Sequence, residues 1–121
     1  MRIATVAVLC LALTACGDGA GDDAAQAACH AYARNPATAA QRSDLRTTAT
    51  REAQRAAEAD DAYGALPHDM DDAWSRMDAM AATHNAGGQV SAGDLDAYFA
   101  SDRRVRADCA DAGAALGPLK P

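Results

Sequence analysis

Apolar residues recur every three or four positions along most of the chain beyond residue 21, which is the spacing of one face of an α-helix. The first such stretch starts at the acidic pair Asp22-Asp23 and stops at Asn35-Pro36. Its apolar face consists of Ala25, Ala28, Cys29 and Tyr32. The second stretch starts with Ser43 as its N-cap and ends at Gly64 and Pro67. Its apolar face consists of Leu45, Ala49, Ala56, Ala59 and Tyr63.

Two further stretches follow with the same period. The third starts near Pro67 and stops before Gly87-Gly88, and its apolar face consists of Met70, Ala73, Trp74, Met77, Met80 and His84. The fourth opens with Ser91 and Asp94, which resemble a capping box with Asp in place of the usual Glu, and it closes at Gly117-Pro118. Its apolar face consists of Leu95, Tyr98, Phe99, Val105, Cys109, Ala112 and Leu116. The sequence therefore predicts four helices joined by short connections.

The composition favours the same fold class and limits the size of the core. Alanine and arginine, both strong helix formers, are abundant, and strand-forming residues are scarce. Half of the residues are apolar, but only one tryptophan, one phenylalanine and three tyrosines are present, so most apolar groups are small. We expect an all-α fold, a small up-down bundle of three to four helices with a thin core and one disulfide.

The N-terminus has a different pattern. Met1-Arg2 provides a positive start and is followed by an uninterrupted apolar run from Ile3 to Leu13. That run is too short to cross a bilayer and is typical of the hydrophobic region of a secretory signal.

The run ends in Leu13-Thr14-Ala15-Cys16, which resembles the lipobox of bacterial lipoproteins at every position. The resemblance implies transfer of a diacylglyceryl group to the Cys16 thiol, cleavage after Ala15 and acylation, for example with palmitate, of the freed amine. The alternative is an ordinary cleaved signal followed by a chance cysteine, which would give a soluble secreted chain. The residue after Cys16 is Gly17, and the Asp that commonly retains lipoproteins in the inner membrane is absent there.

These features divide the chain into three parts. Residues 1–15 form the signal peptide, residues 16–21 form a flexible glycine-rich tether, and residues 22–121 form the helical domain. We expect an exported protein of the cell envelope, held by the lipid on Cys16 to the outer face of the cell membrane or to the outer membrane.

Two cysteines remain once Cys10 leaves with the signal and Cys16 is lipidated. Export places Cys29 and Cys109 in an oxidising compartment, where a disulfide is the simplest outcome in a small domain. A redox or metal-binding thiol pair is the alternative, although no Cys-x-x-Cys spacing exists. If the second helix began at Pro36, the two cysteines would lie roughly 30 Å apart along the bundle axis. We therefore expect residues 35–42 to form a loose or separately kinked connection that brings the cysteines to one level, while the start of the second helix, near Pro36 or at Ser43, stays open.

Met77, Met80 and His84 are the candidate metal ligands, because thioether and imidazole groups suit a soft cuprous ion. Methionines at helical spacing also fill gaps in a core of small alanines, and residues along one helix do not converge on one ion. The prediction is therefore core packing with no metal site and no cofactor, and an exported copper binder is the alternative function.

Other candidate chemistry is weaker. Glu52 and Asp102 fall in phase with apolar faces and could pair as acid and base, but nearby arginines explain both as ion pairs. No catalytic or phosphate-binding motif is present, and we do not expect an enzyme. The net charge of -6 argues against a nucleic-acid partner, which would need a basic face.

We expect instead a lipid-anchored binding or interaction module for an envelope protein, with Trp74 and Met77 as the candidate partner surface, because Trp and Met are enriched at interfaces.

Overall fold

A computed structural model describes residues 19–117, and every regular element in this range is helical. Helix α1 spans residues 19–33 and helix α2 spans Ala39–Ala59. A short 3₁₀ turn, Asp61–Tyr63, leads into helix α3, Leu66–Asn85, and helix α4 spans Ala92–Asp111. The prediction of an all-α bundle is confirmed.

The helices run alternately up and down. Gln26 of α1 donates to the carbonyl of Ala112, and Tyr32 donates to Asp102, so α1 and α4 are antiparallel. Arg104 of α4 lies against Asp69 and Asp72 of α3, and α3 packs more extensively on α4 than on α2. The alternation brings the aromatic residue near the end of α1 next to the middle of α3.

Small residues form most of the buried core, as the composition predicts. Alanines of α1, α2 and α3 are buried, and within residues 19–117 the larger fully buried aliphatic side chains are Leu66, Met70 and Val105. Each alanine removes little apolar surface from water, so this core stabilises the fold less than one built from leucine and phenylalanine.

The disulfide between Cys29 and Cys109 is formed and joins α1 to α4, with their Cα atoms 5.8 Å apart. This confirms the predicted pairing. The connection that permits it is shorter than expected: only residues 34–38 are non-helical, and the assumption of a loose segment through residue 42 is wrong.

Helix α2 begins four residues before the N-cap that we predicted, Ser43. Thr38 is the N-cap, and its hydroxyl accepts a hydrogen bond from the Gln41 amide at 3.1 Å. The Gln41 side chain in turn accepts from the Ala37 amide at 2.9 Å. The pattern resembles a capping box, except that the Gln41 side chain bonds the amide of the residue before the N-cap, and it satisfies the amides of Ala37 and Gln41.

Helix α4 also ends earlier than predicted, at Asp111 and not at Gly117-Pro118. Gly113 has a φ of 81°, and Ala114 donates back to the Cys109 carbonyl at 2.8 Å, which is a Schellman ending. Leu116, which we placed on the helix, lies beyond it and packs against the core from the tail.

At the N-terminal end, residues 19–21 are helical and do not form part of a flexible tether. A Cβ at Gly21 would lie 3.2 Å from Asp60 Cβ and 3.5 Å from Ala59 Cβ, so the absence of a side chain lets α1 pack closely on the end of α2. The signal peptide, the lipobox and the rest of the tether lie outside the described residues. Within residues 19–117, no helix combines the length and apolar character needed to cross a membrane.

Candidate functional site

A cleft of about 410 Å³ opens where α1 ends and its connection to α2 passes over α3 and α4. We call it the Trp74 cleft. Its lining residues come from all four helices and the connection: Ala31, Tyr32, Ala33, Arg34, Asn35, Pro36, Arg42, Leu45, Arg46, Trp74, Met77, Asp78, Ala81, Tyr98, Asp102 and Arg106.

Two aromatic rings form the floor of the cleft. Tyr32 and Trp74 are 5.4 Å apart between ring centroids, with their planes inclined at 47°, a favourable tilted arrangement. Trp74 is only 8% exposed, and Leu45 and Met77 pack beside it as half-buried side chains. The floor is therefore a preformed apolar surface that a ligand group can cover.

Arg46 covers the edge of this floor. Its guanidinium carbon lies 5.4 Å from the centre of the Trp74 ring, within the range of a cation–π contact, and its Nη1 is 2.6 Å from Asp78 Oδ2. The two contacts hold the arginine between α2 and α3.

The wall formed by α1 and α4 contains a buried polar network. The Tyr32 hydroxyl donates to Asp102 Oδ1 at 2.7 Å, and Arg106 Nε donates to Asp102 Oδ2 at 2.6 Å. Asp102 is 2% exposed, and these two donors satisfy both of its oxygens. Burial and the hydrogen bond to Asp102 raise the pKa of Tyr32 far above its usual value, so the phenol keeps its proton. Arg106 also donates to the Gly117 carbonyl, which fixes the tail at the edge of the cleft.

The charge of the cleft is positive although the chain carries a net charge of -6. Four arginines line it against two aspartates. Asp78 pairs with Arg46, and Asp102 pairs with Arg106. Among residues 19–117, Arg34 and Arg42 have no ion-pair partner, and both are exposed.

Exposed apolar residues continue from one side of the cleft along α4. Tyr98 lines the cleft and packs against Phe99 with ring centroids 5.5 Å apart. Phe99 is 39% exposed, and Leu95, one helical turn earlier, is 40% exposed. These are the large apolar side chains that the described part of the chain leaves most accessible to a partner.

The structure brings together the two residues of the predicted partner surface, Trp74 and Met77, because both line the cleft. The surface is concave, since Trp74 is buried and a partner can reach it only through the cleft. The residues named with Met77 as candidate copper ligands are elsewhere: Met80 is half-buried and His84 is exposed in the last turn of α3. Nowhere in residues 19–117 do three or more His, Cys, Asp or Glu side chains group in a way that could hold a metal ion.

The two acids that we considered as an acid–base pair each bond to arginine. Glu52 accepts from Arg55 at 3.1 Å, and Asp102 accepts from Arg106 as described above. The sequence did not identify Tyr32, Arg42 and Arg46 as site residues. Tyr32 stands out only as an aromatic residue in an alanine-rich helix. Arg46 carries no local signal because its partners, Trp74 and Asp78, are far away in sequence, and Arg42 carries none because it has no ion-pair partner within residues 19–117.

A second polar cluster joins α3 to α4 away from the cleft. Asp72 accepts from Ser101, from Arg76 at 3.2 Å and from Arg104 at 3.0 Å, and these donors lower its pKa, with Ser101 contributing most. Burial raises the pKa of nearby Asp108 to about 7, and the neighbouring Asp69 carboxyl adds to the effect. Oδ2 of Asp108 is buried without a hydrogen-bond partner in the described part of the chain.

No protein-family model matches this chain, and neither does any curated protein or solved structure. The geometry of the Trp74 cleft therefore carries the functional interpretation.

Proposed function

We propose that this protein is an exported lipoprotein, anchored by a lipid on Cys16, that binds a partner protein of the cell envelope in the Trp74 cleft. The observation that carries the proposal is the cleft itself, a preformed concave site with an aromatic floor. Its volume of about 410 Å³ is in the range of sites that enclose a ligand group and is large enough for one or two side chains.

The composition of the cleft supports binding of a protein segment. Trp, Tyr and Arg are the residues that most often dominate the energy of protein interfaces, and such anchors act in concave, desolvated pockets. The cleft has all three types, in Trp74, Tyr32 and Arg46. The exposed pair Leu95 and Phe99 extends the apolar surface beyond the cleft, as a partner larger than a small molecule requires.

The anchor rests on the lipobox residues, Leu13 to Cys16, which follow an apolar run of signal-peptide length. A chain with a net charge of -6 is repelled by anionic lipid, so attachment to a membrane needs an apolar anchor. Mass spectrometry of the native protein should find Cys16 as the N-terminal residue, carrying a diacylglyceryl group. Quantitative recovery from the medium of a chain with an unmodified Cys16 thiol would refute the anchor.

Site-specific photo-crosslinking in intact cells tests the partner site. A benzophenone amino acid is placed at Phe99, beside the cleft, and in a second strain at Glu58, which is exposed on α2 outside it. We expect one discrete protein adduct from position 99 and none from position 58.

A matched pair of variants links the adduct to the cleft. Ala81 and Ala82 are both exposed on α3, but only Ala81 lines the cleft. Ala81→Gln should fill part of the cleft and reduce the adduct, whereas Ala82→Gln should leave it unchanged. An adduct of equal yield in both variants would show that the partner does not use the cleft.

A further inference from the structure

The two unpaired arginines at the cleft define a local charge that its own acids do not neutralise. Asp78 and Asp102 are already bonded to Arg46 and Arg106. Arg34 is the first residue of the connection between α1 and α2, Arg42 lies near the start of α2, and both line the cleft. Guanidinium groups in this position favour a carboxylate, which they can bind in a planar, two-pronged geometry.

Arg42 lies at the end of α2 where the helix dipole is unfavourable for a cation. It lies near the start of α2, where the unpaired amides give the helix a partial positive charge that favours acids and disfavours cations. The first turn of α2 has no acidic residue, so nothing on that turn compensates Arg42. An anion bound beside Arg42 would interact favourably with both the guanidinium and the helix terminus.

The apolar floor lies in the same cleft as these charges. Tyr32 and Trp74 offer ring surface, and Leu45 and Met77 extend it. A ligand that satisfies the whole cleft therefore needs two features close together: a negative charge for Arg34 and Arg42, and a large apolar group for the floor.

We infer that the cleft selects an acidic segment of its partner, in which a Glu or Asp carboxylate binds Arg34 and Arg42 while an adjacent aromatic side chain packs on Tyr32 and Trp74. This inference rests on the proposed function and names the chemistry of the partner segment. Charge complementarity with Arg34 and Arg42 favours an acidic protein segment as the ligand of the cleft. A flat anionic membrane fits less well, since the site is concave and the chain as a whole is acidic.

Trp74 provides the readout because it is the only tryptophan of the chain. The intact protein, with the N-terminal modification that the cell gives it, is reconstituted in phosphatidylcholine nanodiscs. Its fluorescence is titrated with three capped dipeptides in which phenylalanine is followed by glutamate, glutamine or lysine. At low salt the glutamate dipeptide should bind about fivefold more tightly than the glutamine one, since exposed ion pairs contribute modestly. The lysine dipeptide should bind most weakly.

Arginine variants locate the source of the preference. Arg34→Gln and Arg42→Gln should each reduce the preference for glutamate and leave the affinity for the glutamine dipeptide within about twofold, because the apolar floor is intact. Arg103→Gln is the matched control: Arg103 is also exposed, lies outside the cleft and has no ion-pair partner within residues 19–117. It should leave the preference unchanged.

The outcomes distinguish a failure of the acidic-segment inference from a failure of the proposed function. If the three dipeptides bind equally, or if Arg103→Gln acts as strongly as Arg42→Gln, the cleft remains a binding site but the acidic segment is wrong. If none of the dipeptides changes the fluorescence of Trp74, the proposed function of the cleft fails with it. A fluorescence change with phosphatidylglycerol vesicles, and none with the glutamate dipeptide, would overturn the inference in favour of an anionic membrane.

Discussion

At the scale of single residues, Tyr32 connects the core to the candidate site. Its ring forms half of the floor beside Trp74, and its hydroxyl satisfies one oxygen of the buried Asp102. Asp102 is the one charged residue among the fully buried side chains of residues 19–117, and a buried carboxylate is tolerated only when its oxygens have donors. The same contact therefore stabilises the fold and fixes the floor of the cleft.

Replacing Tyr32 by Phe keeps the ring and removes the donor. The variant should lower the free energy of unfolding by about 1.5–3 kcal/mol, because Asp102 Oδ1 loses its partner in a buried setting. Chemical denaturation followed by circular dichroism measures the change. Tyr98→Phe is the control, since the Tyr98 hydroxyl has no hydrogen-bond partner within residues 19–117. Equal losses in the two variants would show that the Tyr32 contact with Asp102 contributes nothing specific.

Asp108 gives the fold a pH dependence. Burial raises its pKa to about 7, aided by Asp69 and the charge of Asp111 and opposed by Arg104. In the folded state Asp108 therefore keeps a proton that the same side chain releases in the unfolded chain near the ordinary pKa of 3.8. The resulting stabilisation is complete below that value and is lost as the pH rises through about 7. Asp72 affects stability at lower pH. Because its pKa is lowered in the folded state, its contribution to the free energy of unfolding is present at neutral pH and is lost only as the pH becomes acidic.

We therefore expect the melting temperature to be higher at pH 5 than at pH 8. Asp108→Asn should flatten this difference, since the amide mimics the protonated acid at both pH values. Asp96→Asn, an exposed change of the same charge on the same helix, should preserve it. Scanning calorimetry at the two pH values measures the melting temperatures. If Asp108→Asn shows the same difference in melting temperature between pH 5 and pH 8 as the unchanged protein, Asp108 is not its source.

At the scale of elements, the ends of the helices show what the sequence could and could not predict. The start of α4 at Ser91 was predicted correctly, since no competing cap is nearby and its hydroxyl accepts from Asp94. The start of α2 was not, because Thr38 and Ser43 are both suitable caps and only one can begin the helix. Gln41, three residues after Thr38, distinguishes them, since its amide donates to the Thr38 hydroxyl while its side chain accepts from the Ala37 amide.

The two candidate caps give opposite results when they are replaced. Thr38→Ala should reduce the free energy of unfolding by about 1 kcal/mol, because the Gln41 amide loses its acceptor. Ser43→Ala should be neutral or slightly stabilising, since Ser43 lies exposed inside α2, where alanine is the better helix former. Urea denaturation of both variants provides the comparison. A loss confined to Ser43→Ala would place the start of α2 where the sequence pattern put it.

At the scale of the whole molecule, periodicity was enough to predict the bundle but not the cleft. Trp74 and Met77 were identified as a candidate surface from their residue types, since Trp and Met are enriched at interfaces. Their partners Tyr32, Arg46 and Asp102 come from three other helices, and no local pattern links residues separated by such long stretches of chain. The disulfide was predictable for a different reason: export and the count of remaining cysteines left one simple pairing, whatever the exact start of α2.

Because the core is thin, the disulfide contributes a large share of the free energy of unfolding of the whole molecule. It closes a loop with a sequence separation of 80 residues, for which chain entropy alone gives roughly 4–5 kcal/mol. A helical domain of this size is stable by about 5–15 kcal/mol in general, and one with an alanine-rich core lies toward the low end. The bridge also ties α1, which carries Tyr32 and Arg34, to α4. Its loss should therefore disturb the cleft before the hairpin of α3 and α4.

Replacing both cysteines, as Cys29→Ala with Cys109→Ala, should lower the free energy of unfolding by about 3–5 kcal/mol and make α1 the first helix to open. Hydrogen exchange is the informative measurement, because it reports each helix separately. Protection should fall most in α1 and least where α3 packs on α4, since this contact is more extensive than the contact of α3 with α2. The fluorescence of Trp74 should shift toward that of a solvated ring, since Tyr32 no longer covers it. Uniform loss of protection across all four helices would show that the bridge stabilises the bundle as one cooperative unit and does not act on α1 in particular.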